Sequence, residues 1–480
     1  MYIVRRAIFF GFVWLHLVAA RADWVMGPLY DEFSLMLAPG QRTEVLGPLF
    51  YTEQKETQMQ FAVPPLFSWT EDPDLESEEF DFLYPILTYD RYGEEYRFQI
   101  LQLFAFAGGQ TQEEQINRRF TLFPIFFLQR SPVPELNYTA LLPIYGTIKN
   151  RLYRDEIHFA AFPLFARTRK RDVVTHNYLY PIFHWRRGEA LRGWQVWPLV
   201  GAERKGITMR TNRLEEPEIV GGHEKFFALW PIFSNNTLGI GTENPQKQIS
   251  VLPLFTSLRS SRRDSLTAPW PIGLSLTDDR KQKYREVGAP WPFIVFARGE
   301  GKTTSRVWPL FSRSSNTNLQ SDFYLWPIYK YNRFHSPEME RERTRILFFL
   351  YSDMEEKLSE ENVSKRRVDL WPLFTFRRDL YGHERLQILA LLEPILPNNK
   401  SIERNYSPLW SLWRAEKNPK TEASSHSLLW NLYRRDATAT SKKCSLLFGL
   451  FQYESHPQGK RWRLFYFPFG SEKELEPSSQ

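Results

Sequence analysis

Short apolar runs centred on proline recur along almost the whole chain, and charged segments separate them. Prolines followed by Leu, Ile, Phe or Val, mostly preceded by a large apolar residue, stand at 28, 48, 65, 85, 124, 143, 163, 181, 198, 231, 253, 271, 292, 309, 327 and 372, and Pro408 and Pro468 continue the series. Proline-free versions at Leu101–Phe104, Phe348–Tyr351, Ile388–Leu391, Leu429–Tyr433 and Leu447–Phe451 fill the gaps. The spacing is mostly about 17 to 23 residues, with one longer gap between Pro198 and Pro231, and yields about twenty copies of one motif. Its clearest forms are Trp230-Pro231, Trp308-Pro309, Trp326-Pro327 and Trp371-Pro372. A period of this size marks a repeat architecture. The intervening segments, among them Asp90–Arg97, Thr277–Arg285 and Ser455–Lys460, are charged and carry turn formers, so they read as hairpin turns. A helical repeat is disfavoured, because proline inside each apolar run costs about 3 kcal/mol per helix. The expected unit is a strand plus a turn, with consecutive strands pairing as an antiparallel meander.

Aligning the motifs on proline separates two faces. Residues two before and two after it are apolar, as at Leu229 and Phe233, Val307 and Phe311, Leu325 and Tyr329, Leu370 and Phe374, and Leu179 and Phe183. They share a face because strand side chains alternate with a period of two. That face continues apolar at Phe227, Phe323, Tyr331, Val368, Phe376 and Trp185, whereas the tryptophan face turns polar or small at Ser234, Arg306, Ser312, Lys330, Asp369, Thr375 and His184.

One face apolar for about nine residues, tilted roughly 45°, spans about 20 Å, near the apolar band of an outer-membrane barrel. The first expectation is therefore an all-β chain of about 20 to 24 strands closed into a large barrel, which also removes exposed sheet edges. Proline argues for the other expectation. It removes a ladder donor and is normally confined to sheet edges, bulges or strand starts. If each proline begins a strand, every repeat holds two strands of about six residues, as in a soluble propeller-like or stacked-hairpin array. The two expectations differ at Trp371-Pro372: a strand unbroken from Arg367 to Arg377 favours the barrel, and a break at Pro372 favours short strands.

Charge and the chain ends add a setting. Arg5 and Arg6, the apolar stretch Ala7–Ala20 and the small residues around Ala22 form the pattern of a secretory signal over residues 1–22. A single repeat domain is expected over 23–469, with a polar tail over 470–480. After the signal no stretch reaches 18 uncharged apolar residues, so no transmembrane helix is expected. Cys444 is the only cysteine, so an intramolecular disulfide is impossible, which suits a bacterial envelope protein better than an animal extracellular domain. The net charge of +7 is spread among mixed acids and bases, without the basic stripe that favours nucleic acid. With this spacing and the signal segment, stretches such as Glu403–Arg414 resemble uncharacterised Trp-Pro-Leu-Phe-repeat exported proteins of Gram-negative bacteria. The aromatic run Arg463–Phe469 resembles the last strand of an outer-membrane barrel. The resemblance implies an outer-membrane location and lipid contact, and carries over no catalytic or binding residue.

Fragments that suggest chemistry fail on spacing. Gly299–Thr303 ends like a phosphate-binding loop, but Phe296 stands where its first glycine belongs. His223-Glu224 and His383-Glu384 begin like zinc-protease helices, yet Phe227 and Gln387 replace the second histidine. Gly273–Thr277 lacks the second glycine of a nucleophile elbow. The acidic runs Glu71–Asp81 and Glu338–Glu342 lack the glycine and alternating ligands of a calcium loop. The expectation is a non-enzymatic protein without cofactor or metal: a membrane channel, transport or envelope-assembly component, or else a soluble or surface-attached scaffold for a protein or glycan partner.

Overall fold

Each Trp-Pro motif closes a hairpin. In the computed structural model, which describes residues 27–109, 118–211, 217–359, 363–457 and 459–469, strand Gly222–Ala228 ends at Leu229, and strand Phe233–Ile240 returns antiparallel to it. The Ile232 N–H donates to the Leu229 carbonyl (2.7 Å), leaving Trp230 and Pro231 at the tip, with a cis bond between them. A residue without an N–H fits there, because no ladder donor is needed at a hairpin tip. The proline carbonyls remain available and tie neighbouring hairpins together. Trp230 N–H donates to Pro198 O (2.7 Å), Trp326 N–H to Pro309 O (2.8 Å) and Ala390 N–H to Pro372 O (2.9 Å).

The proline-free copies reach the same geometry by another route. Leu101 and Gln102, and likewise Trp430 and Asn431, adopt positive φ (48° and 58°, 51° and 63°). Positive φ at both central residues matches the twist of a two-residue hairpin. The closing bonds run from Leu103 N–H to Ile100 O (3.1 Å) and from Leu432 N–H to Leu429 O (2.9 Å).

The chain is an all-β antiparallel meander, but its strands are more numerous and shorter than the expected 20 to 24. The described residues form 45 strands, because every period contains two, one on each side of the turn. At the discriminating position, Val363–Leu370 and Phe374–Arg378 are separate strands flanking Trp371-Pro372. The apolar nine-residue run is thus folded back on itself. Turn length also corrects the face assignment. Across the four-residue turn Leu229–Ile232 the parity shifts, so Phe227 faces Ser234 and Gly201 on the polar side, and Phe323 faces Lys330. The three-residue turn at Trp371–Leu373 preserves parity, and Val368 faces Phe376 as expected. Pro408 departs from the strand series: it lies in the short helix Ser407–Trp410. Among the described residues no ladder joins the first strand, Asp31–Ser34, to the last, Phe467–Phe469.

The chain divides into two compact units, one of Met1–Gly93 with Phe349–Gln480 and one of Glu94–Phe348. In the second, strands from Glu95–Ile100 onward pair in chain order. The hairpin Thr208–Thr211 with Pro217–Val220 forms its own two-stranded sheet, so Val200–Lys205 pairs directly with Gly222–Ala228; this insertion accounts for the long gap before Pro231. In the first unit the helices Lys400–Asn405 and Ser407–Trp410 interrupt the meander between Glu384–Ile388 and Trp413–Asn418. The segments 1–22 and 470–480, read as signal and tail, lie outside the described residues.

Burial is inverted relative to a water-soluble sheet. On strand Leu274–Asp279, Ser275, Thr277 and Asp279 are buried, while Leu274 and Leu276 are 47% and 41% exposed. An apolar cluster on the polar side, Phe127, Tyr138, Ala140, Ile148, Phe159 and Ala166, is confined to one stretch of the Glu94–Phe348 unit.

Candidate functional site

The exposed apolar surface is organised by depth from the hairpin tips. Facing residues of paired strands share a side, so ladder register sorts outward side chains into rungs parallel to the rim. In the Glu94–Phe348 unit the rung next to the turns is apolar without interruption from Ile100 to Phe255. It passes through Phe104, Leu122, Phe126, Leu141, Phe165, Tyr178, Phe183, Val196 and Phe233.

Two residues further along the strands the rung is rich in aromatic and aliphatic side chains as far as Phe296, with polar interruptions such as Arg167 and Asn235, and beyond it turns polar at Ser305, Arg313 and Asp322. Phe98, Phe106 and Phe120 follow one another at ring separations of 6.2 and 4.5 Å, and Trp185 faces Trp194 with 51% and 45% exposure. Two residues further again the rung is charged: Arg187 faces Arg192, which faces Arg204, which faces Glu224.

The other unit repeats this order. Its turn-side rung runs Tyr351, Leu370, Phe374, Ile388, Trp413, Leu428, Tyr433, Leu446, Phe451 and Leu464. The next includes Val368, Phe376 and Leu386, and the third Glu355, Arg366, Arg378 and Glu384.

The tips extend the apolar zone. Trp230, Trp308 and Trp326 are 52%, 40% and 42% exposed, and Trp371 is half-buried. Ring centroids lie 5.8 Å apart for Trp197 and Trp230 and 5.9 Å apart for Trp308 and Trp326, so the tryptophans form rows along the rim. With a rise of about 3.3 Å per residue, the zone from tip to second rung is roughly 12 Å deep. The eight residues Trp230, Pro231, Trp308, Pro309, Trp326, Pro327, Trp371 and Pro372 all sit at hairpin tips, and of the four tips those of Trp308-Pro309 and Trp326-Pro327 are adjacent.

The opposite side is a polar network. Arg186 Nη1 donates to Glu203 Oε2 (2.6 Å), and His223 Nε2 lies 2.7 Å from Glu203 Oε1. Burial raises the Glu203 carboxyl, but its bond with His223 and the Arg186 charge outweigh that and hold it below the usual range. Burial likewise opposes charge on Glu416, yet Arg414 (2.9 Å) and Arg385 (3.0 Å) hold its carboxyl at about 2. A folded pKa below the unfolded one favours the charged form. Glu416 therefore contributes about 3 kcal/mol above pH ~4.5, lost as the pH falls toward ~2. Urea titrations of the wild type should show this acid-side loss, and Glu416→Gln should be less stable at neutral pH and lose less across that window, the remainder coming from carboxyls such as Glu203 and Glu403 that are also held low.

The fragments that suggested chemistry occupy ordinary places. Gly299–Thr303 spans the turn between strands Ile294–Gly299 and Lys302–Val307. His223 meets Glu203, His383 meets Asp379 (3.1 Å), and Ser275 accepts from Thr267 on the next strand (3.0 Å). Glu78 pairs with Arg91 (3.8 Å), and Glu342 with Arg333 (3.4 Å). Among the described residues no group of three or more His, Cys, Asp and Glu is placed to hold a metal ion. The charged third rung escaped the sequence reading, because the face parity behind it depends on the length of each turn. No family model and no curated protein matches the chain.

Proposed function

We propose that this is a non-enzymatic, exported cell-envelope protein whose Trp-Pro-Leu-Phe rim seats the sheet in one leaflet of a lipid membrane. The depth grading of the outward face carries this reading. A lipid leaflet is layered along one direction, from hydrocarbon through interface to headgroup, and so are the rungs: apolar, then aromatic-rich, then charged. A folded protein partner has no reason to repeat that order on strand after strand. Tryptophan at the rim adds a large apolar ring at the deepest point of the zone, where its N–H needs an internal partner, as Trp371 Nε1 has in the Leu391 carbonyl (3.0 Å).

Strand length sets the depth. A transmembrane strand needs about 9 to 11 residues and the hydrocarbon core is about 30 Å thick. Val363–Leu370, among the longest strands here, has 8 residues, and Phe374–Arg378 has 5. An apolar zone of roughly 12 Å matches one leaflet. The resemblance noted above assigns that leaflet to the outer membrane of a Gram-negative bacterium.

A second reading, a closed outer-membrane barrel acting as a channel, is favoured by one observation: strands such as Leu274–Asp279 alternate exposed apolar with buried polar residues, as a barrel wall does. Flotation with dye-loaded vesicles separates the two. Seating predicts co-flotation without dye release, with tryptophan fluorescence quenched by lipids brominated on the acyl chain. Dye release by the floated protein supports the channel. Protein that stays at the bottom of the gradient without detergent overturns both.

A further inference from the structure

We infer that the leaflet this protein takes is an anionic one, because the rung that follows the apolar zone is a basic belt. This rests on the seating reading. In the Glu94–Phe348 unit the third rung can be followed through the ladder from Lys149 to Arg298, with Val174 and Thr237 as its uncharged members. Its acids are already matched: Glu156 with Arg169 (3.4 Å), Glu224 with Arg204 (3.1 Å), Asp278 with Arg285 (3.8 Å), and Asp264 with Arg280. Its basic residues outnumber these acids. Among the described residues no carboxylate lies within ion-pair distance of Arg187, Arg192, Lys247 or Arg259, and Arg187 and Arg192 are exposed side by side.

The position of the belt identifies the counter-charge. It stands about 6.6 Å beyond the second rung, where a seated sheet meets the phosphates just outside the hydrocarbon. A guanidinium binds phosphate through paired N–H donors. An anionic headgroup adds net negative charge that a zwitterionic one lacks, and each basic residue near such a surface strengthens binding, an effect that salt screens. The lipid class selected is therefore a phosphate-bearing one with net negative charge.

The test compares flotation on phosphatidylcholine vesicles with flotation on phosphatidylcholine mixed about three to one with phosphatidylglycerol, at low and high salt. The variant carries Arg187→Gln, Arg192→Gln and Arg204→Gln, whose side chains are exposed, and its melting curve reports the fold. The wild type should bind the anionic vesicles at least tenfold more tightly at low salt. The variant should lose about a hundredfold on them with little change on phosphatidylcholine. Equal partitioning of the wild type on both vesicles, or an unchanged variant on the anionic ones, overturns the inference while seating stands. Flotation with neither overturns both.

Discussion

Four glutamates at hairpin tips should detach the protein from lipid and leave it folded. Leu199, Ile232, Leu310 and Ile328 are 56%, 50%, 54% and 47% exposed, so in lipid-free protein Leu199→Glu, Ile232→Glu, Leu310→Glu and Ile328→Glu remove little packing. Exposed substitutions of this kind usually change stability by no more than about 0.5 kcal/mol each. In a leaflet the same side chains are buried, and losing them forfeits about 1.5–3 kcal/mol apiece before the cost of placing a carboxylate in hydrocarbon is counted. Four sites should weaken partitioning at least a thousandfold. Many other hairpins remain in place, so the comparison belongs at the lipid concentration that half-binds the wild type. An unchanged partition coefficient in a variant with an unchanged melting curve removes the rim from the mechanism. If melting falls sharply instead, these tips are packed against protein, and seating loses its surface.

The repeat, its β character and the antiparallel meander were legible because each motif is a local signal: an apolar cluster around proline, bounded by charged turn formers. The objection that proline weakens a paired strand was also sound, and it is met by geometry, since Pro231 and Pro372 sit at hairpin tips where no donor is missed. The errors of face share one cause. Whether Phe227 joins Phe233 or Ser234 depends on whether three or four residues make the turn, and Trp-Pro is compatible with both. A one-residue change moves every following side chain to the other face. The belt of Arg187, Arg192 and Arg204 was hidden for the same reason, because it exists only in register. The helix Lys400–Asn405 was hidden because Pro408 looked like one more repeat, although Asn399 caps the helix and accepts from the Ile402 N–H (3.1 Å).

That helix carries a buried ion pair that makes its unit sensitive to a single change. Arg404 projects from it onto the polar side of the sheet, donating to Thr70 Oγ1 (2.8 Å) and Asp81 Oδ2 (3.0 Å) and pairing with Glu79. Asn405 Nδ2 adds a bond to Asp81 (3.1 Å), and Tyr51 OH donates to the Arg404 carbonyl (2.9 Å). Arg404 and Asp81 are only 8% and 3% exposed. Removing one partner of a buried pair leaves an uncompensated charge and costs about 3–5 kcal/mol, more than the pair itself contributes. Arg404→Met should therefore lower the unit's stability by about that much. Arg404→Met combined with Asp81→Asn should recover part of the loss, because the stranded charge is gone. Amide exchange locates the effect: strands Phe67–Asp72 and Ser77–Phe82, which lie under the guanidinium, should lose protection, while Leu274–Asp279 in the other unit keeps its own. Equal loss in both units would mean that the chain unfolds as one cooperative body. No loss in either would mean that the helix holds its place through Ile402 and Tyr406 without the ion pair.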